Sequence, residues 1–274
     1  MTQNKALDLL EQASIKPWQL VFDKERWLVA VSLFTITFFC WFYLWQMSIS
    51  MKSIYLTTNL PQKMFMIHDW TITEFCYMLL MWVVMMAGMM LPSAAPMILT
   101  YANIGKNQKQ YRHTLSFSIG YLITWSLFSL IATTLQWVLD QTALLSSTMV
   151  NQSPALGATI LISAGLYQLS PLKNRCLAKC RSPFQFIMTQ LRPNAKGALI
   201  MGFKHGIFCL GCCGFLMGLL FIGGVMNLIW IALISFFVLF EKLLPYGDKS
   251  TKFSGGFLIA VGSSYLLFFS VSGI

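Results

Sequence analysis

The stretch at residues 206–240, GIFCLGCCGFLMGLLFIGGVMNLIWIALISFFVLF, decides the fold class because it contains no charged residue. A helix of about 20 apolar residues already crosses the roughly 30 Å hydrocarbon core of a bilayer, so this run is too long for a single span. Gly223, Gly224 and Asn227 interrupt it near its middle, where residues of these types favour a turn. The stretch therefore predicts two membrane-spanning helices, at residues 206–222 and 225–240.

The remaining chain contains five more apolar runs that are long enough to span a membrane. They lie at residues 27–47, 75–91, 114–139, 155–169 and 254–271. The composition is 57% hydrophobic and only 10% charged, whereas soluble domains are about 25% charged. We therefore predict an all-α polytopic membrane bundle of about seven transmembrane helices. A single transmembrane domain at 27–271 follows an N-terminal segment at 1–26.

The distribution of basic residues orients the predicted spans. If the N-terminus is cytoplasmic, all of the 19 Lys and Arg residues except Lys52 and Lys63 fall in segments on the inner side. The positive-inside rule expects this asymmetry, so we place the N-terminus in the cytoplasm and the C-terminus outside. Residues 1–26 lack the pattern of a cleavable signal, and we expect the first span to remain in the protein.

The net charge of +10 raises the question of nucleic-acid binding. The basic residues flank hydrophobic runs, where they orient spans and contact anionic lipid head groups. We therefore expect the lipid bilayer, and no nucleic acid, as a partner. The longest loop, at 170–204, is basic and cytoplasmic in this topology, and its apolar stretch 184–191 predicts a short interfacial helix.

Cysteine and histidine residues cluster in and after this loop. Those at the start of the fifth span are His205, Cys209, Cys212 and Cys213. On a helix they share one side, because they are spaced i, i+4, i+7 and i+8. Cys176 and Cys180 lie one helical turn apart in the loop, beside cations that favour thiolate over thiol. Buried cysteine also serves as a small core residue, but this density of ligands favours a metal site.

The second span and its exit, MLLMWVVMMAGMMLPSAAPM at residues 78–97, are rich in methionine. Thioether sulfur is soft and can hold Cu(I), although methionine is also a common flexible filler of apolar cores. Met89, Met90 and Met97 lie at the inner end of the span in the predicted topology, where they can approach the cysteines. Pro92 and Pro96 predict a break or kink, and the carbonyls that they free require cover by protein or a water-filled cavity. An ordinary helix end is the alternative.

The stretches MMLPSAAPM, CLAKCRSP and HGIFCLGCCGFLMG resemble, in this order, an uncharacterised bacterial family of predicted metal-binding integral membrane proteins. The resemblance covers spans 2 to 6 and implies the bacterial inner membrane as the location. It implies no reaction. The metal-binding positions that it implies are Met89, Met90, Cys176, Cys180, His205, Cys209, Cys212 and Cys213.

In the predicted topology these residues converge at the cytoplasmic face, where thiols stay reduced. Sulfur ligands favour Cu(I), with zinc next, so we expect a protein of metal handling or transport, with a metal-delivery or membrane-complex partner. A thiol-disulfide oxidoreductase using Cys209 with Cys212 and a relay through Cys176 and Cys180 is one alternative. A structural or assembly subunit is the other. An enzymatic role is the less favoured interpretation.

Overall fold

The computed structural model describes residues 24–58, 70–104, 110–142, 153–191, 194–243 and 247–272. Within these ranges the chain forms helices and no strand, so the all-helical fold class is confirmed there. The segment 1–26 lies outside the described residues apart from its last three. The helices are α1 (Lys24–Thr58), α2 (Ile72–Ile104), α3 (Gln110–Gln141), α4 (Pro154–Gln168), α5 (Pro171–Arg181), α6 (Pro183–Gln190), α7 (Ala195–Met217), α8 (Leu220–Gly223), α9 (Leu228–Leu243) and α10 (Gly247–Ser272).

Four helical segments in the described residues are long and apolar enough to cross a membrane. They are Trp27–Ser50, Ile72–Ile104, Gln110–Gln141 and Ala195–Gly223. Helices α4 and α5 make a fifth span if the pair, bent by 64°, is counted as one. Helix α9 has 16 residues and overlaps the predicted span 225–240, but it is shorter than the roughly 20 residues of a typical span. The seven spans and the orientation of the termini remain predictions.

The helix that carries the methionines is longer than the predicted span. It does not end at residue 91 but continues through Pro92 and Pro96 to Ile104. Its middle is deeply buried, and the helix contacts α1, α3, α6 and α9. The methionines therefore face other helices rather than the outside of the bundle.

Glycines allow two pairs of helices to pack backbone against backbone. A Cβ at Gly120 of α3 or at Gly202 of α7 would collide with a main-chain carbonyl of the other helix. Between α4 and α10, a Cβ at Gly165 would lie 2.8 Å from the Gly255 carbonyl oxygen. Small residues permit such close approach of membrane helices. The α3–α7 contact fixes the position of the cysteines on α7.

The long apolar stretch turns where the sequence places a turn. Helix α8 ends at Gly223, and Gly224 follows with φ of 91°, a left-handed conformation that suits glycine. Asn227 then precedes α9, and its side chain accepts a hydrogen bond from the Trp230 amide at 3.3 Å. The turn lets α9 fold back so that its last residues reach the cysteines of α7.

Candidate metal centre

Three thiols from a single helix form the core of the candidate site. The Sγ atoms of Cys209, Cys212 and Cys213 all lie within 4.8 Å of one another. Their spacing of i, i+3 and i+4 places them on one face of α7. All three side chains are at least 98% buried. The thiols of Cys212 and Cys213 each donate a hydrogen bond to the Cys209 carbonyl oxygen at 3.0 Å.

Two more sulfurs, from two other helices, extend this cluster. The Cys180 Sγ of α5 lies 3.9 Å from the Cys212 Sγ. The Met90 Sδ of α2 lies 3.9 Å from the Cys213 Sγ. We call these five residues the sulfur cluster: Met90, Cys180, Cys209, Cys212 and Cys213. Its donors are all soft, which is the ligand chemistry that Cu(I) prefers.

A buried lysine and a buried tyrosine contact the innermost thiol. Lys242, near the end of α9, donates to the Cys209 Sγ at 3.0 Å and to the Ser93 hydroxyl at 2.8 Å. The Tyr121 hydroxyl lies 3.1 Å from the same sulfur and 3.1 Å from the Met90 carbonyl oxygen. A cation beside a cysteine favours the thiolate, which is the form that binds metal. The sequence alone did not single out either residue for this role.

The carbonyls next to Pro92 are covered by side chains from three helices. Pro92 has no amide hydrogen to donate to the Gly88 carbonyl four residues earlier, and the Trp41 Nε1 of α1 donates to that oxygen at 3.2 Å. The Ser235 hydroxyl of α9 donates to the Met89 carbonyl oxygen at 3.3 Å. The Tyr121 hydroxyl donates to the Met90 carbonyl oxygen at 3.1 Å, so side chains cover three consecutive carbonyls of α2.

The remaining candidates from the sequence lie around the sulfur cluster. His205 is buried one turn before Cys209, with ring centroids 5.5 Å away in both Tyr121 and Phe186. Its Nδ1 has no hydrogen-bond partner, and its nitrogens are not among the atoms that lie within 4.8 Å of one another. Met89 is buried beside Met90, and it is the Met90 sulfur that contacts a thiol, that of Cys213.

Cys176 lies at the edge of the cluster. Its sulfur packs against the backbone of α7 at Gly211, where an added Cβ would lie only 2.8 Å from the Cys176 Sγ. Cys176 and Cys180 both belong to α5, one turn apart, as their spacing predicts. The absence of a side chain at Gly211 is what lets this turn of α5 approach the cysteines of α7.

A buried ion pair holds the end of α9 in place. The Lys173 ammonium of α5 donates to both carboxylate oxygens of Glu241 at 2.7 Å. Gln168 of α4 donates to the same carboxylate at 3.2 Å and to the Ser254 hydroxyl of α10 at 2.9 Å. A buried charge is tolerated when it is paired in this way. Because Glu241 precedes Lys242, the network also fixes the lysine that contacts Cys209.

The comparison with known proteins identifies one family. A family model for PpoB2, described as a copper chaperone, matches residues 79–265. The match contains every residue of the sulfur cluster and leaves out α1. It supports the metal-related family that the sequence motifs suggest. No curated protein and no solved structure matches the chain significantly.

Proposed function

This chain belongs to the PpoB2 copper chaperone family, and we propose that it binds Cu(I) through Cys209, Cys212 and Cys213 and passes the ion to a partner. Copper is the cargo in this proposal rather than a resident cofactor. The observation that supports it most is the group of three buried thiols with Sγ atoms within 4.8 Å. Met90 and Cys180 supply further soft ligands at the two sides of this group.

The donor set favours copper over the other metals that cysteine binds. Zinc takes Cys, His, Asp or Glu ligands in a closed tetrahedral structural site. Here a thioether sulfur, that of Met90, lies 3.9 Å from the Cys213 thiol, and this ligand type suits Cu(I). Zinc remains the second candidate ion, bound by the three thiols with Cys180.

In the proposed function, Lys242 balances the negative charge of the copper-loaded thiolates. One Cu(I) held by two thiolates carries a net charge of minus one, and such a charge is costly to bury without a partner. The Lys242 ammonium, 3.0 Å from the Cys209 sulfur, offsets it. We propose that loading ionises two of the three thiols, so that the loaded site and Lys242 together are neutral.

The other ligand candidates take peripheral roles in this proposal. His205 packs among aromatic rings behind Cys209, and Met89 supports Met90 from the adjacent position of α2. Cys176 lies at the edge of the cluster, against Gly211. These residues shape or approach the site, whereas the direct ligands come from the sulfur cluster.

We further propose that the chain is an integral protein of the bacterial inner membrane with seven spans and a cytoplasmic N-terminus. The four helical segments of spanning length and the distribution of Lys and Arg along the sequence support this. In that orientation the sulfur cluster lies toward the cytoplasmic side. The ion would then be taken up from reduced carriers in the cytoplasm.

Metal analysis of purified protein tests the copper proposal. The protein would be prepared in detergent under reducing conditions, reconstituted with Cu(I) or Zn(II), and its bound metal measured by mass spectrometry. We expect near-stoichiometric copper in the wild type, and its loss when Cys209, Cys212 and Cys213 are all changed to Ala. The matched control is Cys76→Ser, because Cys76 is exposed and lies about four helical turns before Met90 on α2. A folded wild type that binds neither ion would refute the proposal, and preferential zinc binding would refute its choice of metal.

The distance between Cys180 and Cys212 favours a second candidate, thiol-disulfide exchange. Their sulfurs are 3.9 Å apart, and all seven cysteines of the chain are free thiols. A small side-chain movement would bring such a pair to bonding distance. Differential alkylation followed by mass spectrometry would detect this chemistry as a Cys180–Cys212 disulfide that is reduced in turn by a dithiol substrate. We expect both cysteines to remain reduced during copper loading.

A further inference from the structure

A cavity of about 890 Å³ lies between α5, α6 and α7. Its walls carry three cations, Arg175, Lys179 and Lys204, and none of the residues that line it is an Asp or a Glu. Its apolar lining includes Phe208, and the Lys179 ammonium lies 4.0 Å from the centroid of that ring. A concave apolar surface that is lined by positive charges, without negative ones, concentrates anions and raises their rate of association. The cavity is therefore suited to a small anion with some apolar character.

Cys176 connects this cavity to the sulfur cluster. Its side chain is part of the cavity lining and packs against Gly211 of α7. One turn further along α5 is Cys180, and the Cys180 sulfur is 3.9 Å from that of Cys212. Burial increases along this path, because Cys176 and Cys180 are half-buried whereas Cys212 is 98% buried. A line of thiols thus leads from the cavity into the core.

The chemistry of the cargo indicates what the cavity receives. Soft Cu(I) travels bound to thiolates, and one Cu(I) with two thiolates is an anion. We infer that the cavity between α5, α6 and α7 docks an anionic bis-thiolate complex of Cu(I) with a small carrier thiol, and that Cys176 and Cys180 relay the ion inward. This inference rests on the copper-binding function proposed above.

Each transfer step is an exchange of ligands without oxidation or reduction. The Cys176 sulfur forms a bond to copper while one carrier thiolate departs, and the Cys176 proton passes to the departing thiolate. Cys180 then displaces the second carrier thiolate in the same manner. Cys212 displaces Cys176, which takes up the Cys212 proton, and Cys209 finally displaces Cys180 with the same exchange of a proton. The ion remains Cu(I) throughout, and two free carrier thiols are released. The short distance between Cys180 and Cys212 allows these two residues to share the ion before the last exchange.

Rapid-mixing measurements with two Cu(I) donors test the cavity. One donor is the anionic complex with glutathione, and the other is the cationic complex with acetonitrile. Changing Arg175 and Lys179 to Gln should slow loading from the glutathione complex by about tenfold or more, with the same final copper content. Loading from the acetonitrile complex should not slow. The matched control, Lys196→Gln, removes an exposed cation of α7 outside the cavity lining and should leave both rates within about twofold of the wild type.

The relay is tested by Cys176→Ser with Cys76→Ser as the control. We expect Cys176→Ser to slow loading from the glutathione complex by about tenfold or more, since a hydroxyl is a poor ligand for Cu(I). Its affinity and stoichiometry at equilibrium should equal those of the wild type. Unchanged rates in all variants, or equal slowing with both donors after the charge changes, would overturn the inference while leaving the proposed function intact. A wild type that binds no copper at equilibrium would refute both.

Discussion

The replacement of Lys242 by Met tests whether charge balance governs copper affinity. At 3.0 Å from the Cys209 sulfur, the ammonium interacts with a thiolate by about 5 kcal/mol at an effective dielectric constant of about 20. Part of this free energy is already present in the copper-free protein, where Lys242 also binds Ser93. We therefore expect a net loss of about 2 to 3 kcal/mol, the lower part of the range for truncating one member of a buried charge pair. This corresponds to Cu(I) binding that is about 30- to 150-fold weaker.

The measurement is competition with a chromophoric Cu(I) chelator under anaerobic, reducing conditions, with Lys252→Met as the control. Lys252 is an exposed lysine of α10, so its replacement should leave the affinity unchanged. Met has nearly the length of Lys and fills its space, but Ser93 and Cys209 lose a hydrogen-bond donor. We therefore expect copper-free Lys242→Met to be less stable by about 1 to 3 kcal/mol in thermal denaturation and still to fold. An affinity within about threefold of the wild type, in a folded variant, would refute the charge-balance argument.

Three further predictions concern the packing that positions the site. Gly202→Ala should lower the free energy of unfolding by about 1 to 3 kcal/mol in thermal denaturation, because the added methyl group overpacks against α3. The control is Gly256→Ala, which has open space around it and should be neutral or slightly stabilising in the same assay. Glu241→Gln should lower the free energy of unfolding by about 3 to 5 kcal/mol, because it leaves the Lys173 ammonium without its counter-charge. Adding Lys173→Met to this variant should restore most of the lost stability. A double variant as unstable as Glu241→Gln would contradict the ion-pair explanation. Tyr121→Phe should weaken Cu(I) binding about fivefold by removing the hydroxyl that contacts the Cys209 sulfur and holds the Met90 carbonyl oxygen. An unchanged chelator competition curve would argue against a role of these contacts.

The central thiols could be predicted from the sequence because they belong to one helix. Because of the α-helical period, Cys209, Cys212 and Cys213 share one face of their helix regardless of the tertiary fold. The same argument places Cys176 and Cys180 one turn apart on α5. The distribution of basic residues then predicted that the methionine-rich span and the cysteines meet at one end, and the contact of Met90 with Cys213 agrees with that prediction.

The contacts of Lys242 and Tyr121 could not be predicted in the same way. They depend on how α9 folds back after Gly224 and on how closely α3 and α7 pack, and both are tertiary features. A lysine at the end of an apolar helix most often anchors that helix at a membrane interface, so its sequence position gave no reason to place it in the core. The ion pair of its neighbour Glu241 with Lys173 depends on the same tertiary packing, because the two residues are far apart in sequence.

The bond between Trp41 and the Gly88 carbonyl couples two positions that are far apart in the chain. Pro92 creates an acceptor without a donor, and α1 supplies the donor, although α1 lies outside the region that the family match covers. If Pro92 is replaced by Ala, α2 regains its own amide donor and the indole becomes dispensable. The tryptophan and the proline are therefore expected to vary together among related chains, and a relative that lacks α1 should either carry a different donor near this carbonyl or have lost the proline.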